Sequence, residues 1–299
     1  MPAELILNVA LSGVLTGLIY GLMALGLSVI FGVMRVVNFA HGELMTLAMY
    51  AAVAAFQRFG LDPLLSVPAL AVGFFALGYA LQAALVQRFV TRPEHSQFLL
   101  LLAVALILAN AQLMLFGPDA RNASVDYALD SLELGPLLLD VPRLYAGAVA
   151  LCASLSMFAF FRFSRSGKAI RACADNYRGA QVVGLPIRRL YALTFGLGCA
   201  CVAVAGGVLT LLVDVTPALG PAYTLLGFVI VIVGGLGSML GALLGGLLVG
   251  VSEALAGLFI TPSAKSMVSF GLLILVLLLR PQGLLGQSHL GQGLPARRA

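Results

Sequence analysis

The feature that most limits how this chain can fold is its division into long apolar runs, at 5–31, 44–57, 64–86, 98–116, 144–161, 191–213, 222–258 and 266–280. A helix needs about 20 apolar residues to cross a bilayer, and most of these runs supply one such helix. Run 44–57 is short unless it borrows from the polar stretch before it. Run 222–258 is too long for a single crossing and is interrupted by Gly234-Gly235-Leu236-Gly237. It holds either two crossings or a re-entrant piece followed by a span. Hydrophobic residues make up 61% of the chain and charged residues 10%. A soluble domain carries about 45–50% and about 25%. One core could not hide this much apolar surface, so lipid must solvate part of it. The expectation is an all-α polytopic integral membrane protein of about eight transmembrane helices with Gly-rich breaks or re-entrant segments. Residues 1–286 read as one transmembrane domain and 287–299 as a tail.

The loops carry the charge. Between Phe161 and Leu190 lie Arg162, Arg165, Lys168, Arg171, Arg178, Arg188 and Arg189 against the single acid Asp175, seven of the chain's 17 Lys and Arg residues. Basic loops between spans are retained in the cytoplasm. Loop 162–189 is therefore read as cytoplasmic, together with segment 87–97 and the tail bearing Arg280, Arg297 and Arg298. Segment 117–142 holds Asp119, Asp126, Asp130, Glu133 and Asp140 against Arg121 and is placed outside. Counting back puts the N-terminus outside if every early run crosses once. Positive-inside bias accounts for the net charge of +5 without a nucleic-acid partner.

Three polar or Gly-rich interruptions stand out. The first is Asn38-Phe39-Ala40-His41-Gly42-Glu43, with Arg35 just before it. Charged groups at membrane depth cost about 2.5–3.5 kcal/mol each on insertion scales, so they pair, line a water-filled path or sit at an interface. The stretch is either a broken segment beside a solute path or a polar turn at the cytoplasmic surface with a helix N-cap. The second is Gly234-Gly235-Leu236-Gly237-Ser238, whose spacing does not match a dinucleotide fingerprint and which lies inside a membrane run. A tight backbone break followed by helix packing fits it better. Gly237, Gly241 and Gly245 recur at i+4, as do Gly13, Gly17 and Gly21, and both stripes suit close helix contacts. The two interruptions share a plan: apolar run, break, apolar run. Many transporters place such broken helices at the solute site. Asn38, His41 and Glu43 in one break and Gly234, Gly235, Gly237 and Ser238 in the other are the candidates for a translocation path or gate.

The third interruption is Ser166–Pro186. Ala169, Ile170, Cys173, Ala174, Tyr177 and Ala180 suit one face of a short helix that Gly184 ends and Pro186 cannot continue. It is either a solvated amphipathic loop at the membrane surface or a docking helix for a cytoplasmic partner.

Other chemistry is missing. Gly167-Lys168 lacks the remaining residues of a phosphate-binding loop. No nucleophile elbow or zinc-protease motif occurs. His41, His95 and His289 are too scattered for an obvious metal site. Cys152, Cys173, Cys199 and Cys201 read as small buried hydrophobes rather than a disulfide framework. Glu253, deep in run 222–258, is either a buried polar partner or a path residue. The N-terminus has Glu4 and no basic region, so it is a poor signal peptide. The expectation is a transport protein, not an enzyme.

Four stretches carry a resemblance. Gly26-Leu-Ser-Val-Ile-Phe-Gly-Val-Met-Arg-Val-Val-Asn-Phe-Ala-His-Gly-Glu43 closely resembles the N-terminal signature of branched-chain amino acid ABC transporter permeases of the H-like (Liv) type. Arg171-Ala-Cys-Ala-Asp-Asn through Gly184, Gly234–Gly241 and Leu279–Gly286 agree in the same order. The resemblance implies a multi-pass subunit of the bacterial inner membrane in an ATP-driven importer for leucine, isoleucine or valine. It implies four partners besides lipid: a second, longer permease, two cytoplasmic ATP-binding subunits, and an external, periplasmic solute-binding protein. ATP and Mg would sit on the ATP-binding subunits, and no cofactor on this chain. It places Arg171, Ala174, Asp175, Asn176, Tyr177, Ala180 and Gly184 in the segment that couples to the ATPases, and Asn38, His41 and Glu43 near the conduction route. Relatives with this signature also import urea or short amides. A stand-alone channel or ion-coupled carrier is the alternative of a different class.

Overall fold

The computed structural model describes residues 3–90, 92–135, 137–260 and 265–286. The expected tail 287–299, with His289, Arg297 and Arg298, lies outside the described residues. The helices are α1 (Ala3–Met34), α2 (His41–Phe59), α3 (Pro63–Ala84), α4 (Glu94–Phe116), α5 (Val141–Phe163), α6 (Arg165–Asp175), α7 (Tyr177–Val182), α8 (Ile187–Leu209), α9 (Leu219–Gly234), α10 (Met239–Phe259) and α11 (Lys265–Leu279). Among the described residues six helices are long and apolar enough to cross a membrane, namely those of α1, α3, α4, α5, α8 and α10, and α9 and α11 are shorter apolar helices. The chain is an all-α, multi-pass membrane protein. One small departure is an antiparallel hairpin of β1 (Ser131–Leu134) and β2 (Leu137–Asp140) within the acidic segment.

The acidic segment marks one face. Its Leu138 N–H donates to Asn8 Oδ1 near the start of α1 (3.2 Å). Arg121 and Val215 exchange backbone hydrogen bonds of 2.7 and 3.0 Å. Tyr127 Oη donates to the Asp62 carboxylate at 2.9–3.0 Å. Asp62 itself caps α3 by accepting from Leu64 N–H at 2.7 Å. Burial, and then the Asp62 carboxylate beside it, push the Tyr127 hydroxyl's pKa up, so it keeps its proton and keeps donating through neutral pH. This face therefore collects the start of α1, the α2–α3 turn and the segment after α8. The opposite face collects the basic α6–α7 elements and residues 280–286, where Leu284 and Leu285 N–H groups donate to Val233 and Gly234 carbonyls.

These anchors reveal an inverted repeat. α1 runs from the acidic to the basic face and α8 runs the other way. Each is followed by a non-helical return, 35–40 or 210–218, and then by a short helix, α2 or α9. Each short helix ends in a tight turn, 60–62 or 235–238, that reverses into α3 or α10. The most extensive contact of α1 is with α10, and that of α8 is with α3. Exchanging α1 with α8, α2 with α9, α3 with α10 and α4 with α11 preserves this pairing. The sequence plan matched the 38–43 break to Gly234–Ser238. The structure instead matches it to 210–218, and the Gly-rich break to the α2–α3 turn. Run 222–258 is neither simple alternative, because α9 begins at depth and α10 then crosses fully.

The two halves interlock through glycine. A Cβ on Gly13 would lie 2.8 Å from Val251 Cα, one on Gly17 2.9 Å from Leu247 Cα, and one on Gly250 2.5 Å from Gly17 Cα. The backbones of α1 and α10 therefore touch, as small-residue membrane interfaces allow. The stripe that meets Gly13, Gly17 and Gly21 includes Gly246 and Gly250. Gly241 and Gly245 face α9 instead, and Gly237 lies in the preceding turn at φ +81° against Gly32.

Gly246→Ala would push a methyl into the Gly21 backbone, and overpacking of this kind costs about 1–3 kcal/mol. Thermal unfolding of the detergent-solubilised protein should show a lowered Tm. Gly271→Ala, with open space around it, is expected to leave Tm unchanged or raise it slightly.

Candidate functional site

Residues 35–40 interrupt the first half of the repeat. Arg35 adopts a left-handed conformation, φ +56°, which ends α1. Asn38 then shapes the return: its Oδ1 accepts from Ala40 N–H at 3.1 Å and its carbonyl from His41 N–H at 3.3 Å. Such local side-chain bonds compete with helix and turn the chain. The N-cap of α2 is Ala40, with no side-chain cap. Asn38 and His41 are fully buried and Glu43 is 3% exposed. This is a buried break, not a surface turn.

His41 fixes its depth. Its Nε2 lies 3.0 Å from the Met23 carbonyl, within α1, and donates to it as the Nε2–H tautomer. Return 210–218 brings the start of α9 to the same depth from the other face. Gly42 N–H donates to Thr224 Oγ1 at 3.0 Å, and that hydroxyl donates to the Phe39 carbonyl at 3.3 Å. A residue of α9 thus caps α2. The Glu43 carboxylate rests on Gly220, where any Cβ would overlap it. Two helix N-termini, each equivalent to about half a positive charge, meet here. A carboxylate in both first turns offsets their repulsion, an interaction worth up to about 2 kcal/mol when partly buried. From α4, Gln112 Nε2 donates to the Glu43 carbonyl at 3.1 Å and reaches Oε2 at 3.5 Å.

Several buried polar atoms around this junction have no hydrogen-bond partner among the described residues: Asn38 Nδ2, His41 Nδ1, Gln112 Oε1 and Tyr50 Oη. Aromatic contacts bracket them. Toward the basic face Phe39 packs on Phe98 (4.6 Å) and Phe228 (4.9 Å). Toward the acidic face Tyr50 stacks on Phe116 at 4.3 Å. Thr224, Gly220, Gln112 and Tyr50 were absent from the sequence candidates. Thr224 and Gln112 carried a signal there, as polar residues isolated in apolar runs.

The structure does not bring the second break to this site. Gly234, Gly235, Gly237 and Ser238 lie at the basic face. Ser28 Oγ donates to the Ser238 carbonyl at 3.1 Å, five residues beyond Met23 along α1, or about 8 Å. Ser238 Oγ caps α10 by accepting from Gly241 N–H at 3.0 Å. Gly235, at φ +108°, leaves room for Gly286.

The basic stretch forms two helices rather than one. Asn176 breaks it by capping α7, accepting from Gly179 N–H at 2.8 Å. Ile170, Cys173 and Ala180 are buried, Ala174 is half-buried, and Arg171, Asp175, Asn176 and Gly184 are exposed. Tyr177 is 42% exposed, with its Oη accepting from Gln181 Nε2 at 2.9 Å. Burial raises the Cys173 thiol's pKa, so it stays protonated and inert. Gly184 at φ +79° ends α7 with paired bonds, Leu185 N–H to Ala180 O and Gly184 N–H to Gln181 O, both 3.0 Å, the 6→1 and 5→2 pattern of a Schellman cap. Among the described residues, no group of three His, Cys, Asp or Glu gathers as metal ligands would. Glu253, half-buried, accepts from Ser269 Oγ of α11, a polar link between α10 and α11.

Paired half-helices, an inverted repeat and a buried polar junction are features that many membrane transporters share. Residues 9–277 match the family described as branched-chain amino acid transport system / permease component, and the chain belongs to that family. It is 33% identical over 291 residues to the high-affinity branched-chain amino acid transport system permease protein LivH of Escherichia coli (strain K12), covering 92% of this chain and 94% of the relative. It is 30% identical to the corresponding permease protein BraD of Pseudomonas aeruginosa, with the same coverage. The probable branched-chain amino acid transport permease protein LivH of Methanocaldococcus jannaschii is 26% identical over 277 residues, covering 89% of this chain and 88% of that one. No solved structure matches the chain.

Thr224→Val, nearly isosteric, would orphan the buried Gly42 N–H, and a lost buried partner costs about 1–3 kcal/mol. A lowered Tm of the purified protein would register this. Gly220→Ala would displace the buried Glu43 carboxylate from both helix starts and should lower both Tm and transport.

Proposed function

We propose that this chain is a translocation subunit of an ATP-driven importer that moves leucine, isoleucine or valine across a bacterial inner membrane. The observation that carries the proposal is the junction of α2 and α9 in a chain of this family. Its unpartnered groups suit a zwitterion. Asn38 Nδ2 and Tyr50 Oη can donate to a carboxylate. Gln112 Oε1, His41 Nδ1 and the Glu43 carboxylate can accept from an ammonium. The aromatic contacts on either side form apolar seals, Tyr50–Phe116 outside and Phe39 with Phe98 and Phe228 inside. An aliphatic side chain passes such walls at little cost. Alternating access then opens one seal at a time about the junction.

In this reading the acidic face is periplasmic and receives solute from an external binding protein. The basic face, with loop 162–189 and the C-terminal residues, is cytoplasmic. Arg171, Ala174, Asp175, Asn176, Tyr177, Ala180 and Gly184 form the coupling segment on which one of two ATP-binding subunits docks. ATP and Mg bind those subunits, and a second, longer permease completes the pathway. The exposed Tyr177 ring beside buried Ala180 offers a compact apolar contact, and the exposed arginines of α6 and α7 give it a positive rim.

Two measurements test the proposal. Proteoliposomes holding the complete complex, with the binding protein outside and ATP inside, should accumulate labelled leucine; no gain over empty liposomes would refute the solute or the direction. Tyr177→Asp puts a charge into an apolar contact and should cost about 2 kcal/mol or more of attachment. ATPase co-purification should fall while membrane insertion is unaltered; unchanged co-purification and ATP hydrolysis would refute the docking site.

A further inference from the structure

Arg121 is the one basic residue of the acidic segment 117–140. Asp119, Asp126, Asp130, Glu133 and Asp140 flank it in sequence, yet among the described residues it forms an ion pair with none of them. The half-buried guanidinium is held by Phe116 instead. Nη2 donates to the Phe116 carbonyl at 2.7 Å, and Cζ lies 5.5 Å from the centre of the Phe116 ring. That ring is one half of the outer seal, stacked on Tyr50 at 4.3 Å. The guanidinium also acts electrostatically on the Tyr50 hydroxyl, which has no hydrogen-bond partner among the described residues. The backbone of the same residue exchanges both its hydrogen bonds with buried Val215, in the return that delivers α9 to the junction. One residue thus joins the outer seal to a half-helix. Beside this bridge, residues 122–126, 128–129 and 210–214 wall a cavity of about 420 Å³, room for a small solute.

An arginine that caps the end of α4 accounts for the carbonyl contact. It does not account for a cation left unpaired among acids, placed on the ring of the seal and spliced through its backbone to 210–218. A neutral carbonyl engages one N–H of the guanidinium. A carboxylate accepts from two at once, in charge-assisted bonds about twice as strong.

We propose that Arg121 reads the carboxylate of the arriving solute and thereby releases the outer seal. The carboxylate draws the guanidinium off the Phe116 carbonyl and ring, and Phe116 loses a contact that holds it on Tyr50. The Tyr50 hydroxyl, already beside the guanidinium, becomes the next donor to the carboxylate on its way to Asn38 Nδ2. Because the backbone of Arg121 is bonded to Val215, return 210–218 shifts in the same event. Urea or a short amide carries no carboxylate and makes no such exchange, so the seal itself selects for amino acids. The inference rests on the importer reading given above and adds to it the group of the solute that opens the outer side.

The test follows hydrogen exchange at residues 112–120 and 210–218 of the purified transport complex, without binding protein or ATP. The complex is titrated with leucine and with leucinamide, which keeps the side chain and the ammonium but lacks the carboxylate. Leucine should speed exchange in both stretches and leucinamide should not. Arg121→Gln can still donate to the Phe116 carbonyl. It should keep the resting exchange of the wild type but need about tenfold more leucine for half the response, as expected for loss of one charged hydrogen-bonded contact. Arg121→Lys keeps the charge without the planar fork and should fall between the two; it decides the matter if Arg121→Gln disturbs the resting pattern. Arg58→Gln, an exposed site at the end of α2 on the same face, should respond as the wild type does. No leucine response in the wild type, equal responses to leucine and leucinamide, or an unshifted response in both Arg121 variants would overturn the assignment. If that happens while the complete complex still imports leucine, the importer reading stands and the role of Arg121 alone falls. Import of urea or acetamide in place of leucine overturns both.

Discussion

Gly42 and Thr224 hold together the two interrupted helices on which the rest of the fold is hung. α2 and α9 each begin inside the protein, where water cannot satisfy their first N–H groups. Thr224 solves this for α2 by lending a hydroxyl from the other half of the molecule. The approach it requires is so close that a Cβ on Gly42 would overlap the Gly220 carbonyl. The Glu43 carboxyl lies against both helix starts, where its ionised form would offset two facing positive helix ends. Sterics, hydrogen bonding and electrostatics all act within one turn of each helix. The returns 35–40 and 210–218 exist to deliver the helix ends to this point.

The helical, membrane-spanning class was legible because apolar run length is a one-dimensional property. The basic stretch was legible for the same reason, and all its Lys and Arg side chains are exposed on one face. The repeat was only half legible. Its first break is polar and visible, but its second, 210–218, lies among apolar residues and has no charge except Asp214. The glycines of 234–237 drew attention instead, and they form a turn that reverses the chain. Glycine marks backbone freedom, which turns and helix contacts use equally.

At the candidate site the sequence located one wall. Asn38, His41 and Glu43 stood out because polar side chains at membrane depth are costly. His41 is held by a backbone carbonyl of Met23 and Glu43 by a glutamine on α4, while the Gly42 N–H between them is held by a threonine 182 residues away. A carbonyl leaves no trace in a residue pattern, and pairing across such separations is set by the fold alone. The single amphipathic face drawn through Ala169–Ala180 failed for a local reason, since Asn176 takes the backbone donor that a continuous helix would have used.

The glycine contacts of α1 with α10 also bear on mechanics. Where backbone rests on backbone, no long side chain lies between to change rotamer and absorb a displacement. α1 and α10 must travel as one rod, and the contacts of Gly78 and Gly196 with the facing helix do the same for α3 and α8. What can flex are the two short returns between rods and half-helices. The same kind of contact ties α1 to α8, where a Cβ on Gly26 would lie 2.6 Å from the Gly198 carbonyl, so the four long helices form one block and the short half-helices are what is left to shift against it.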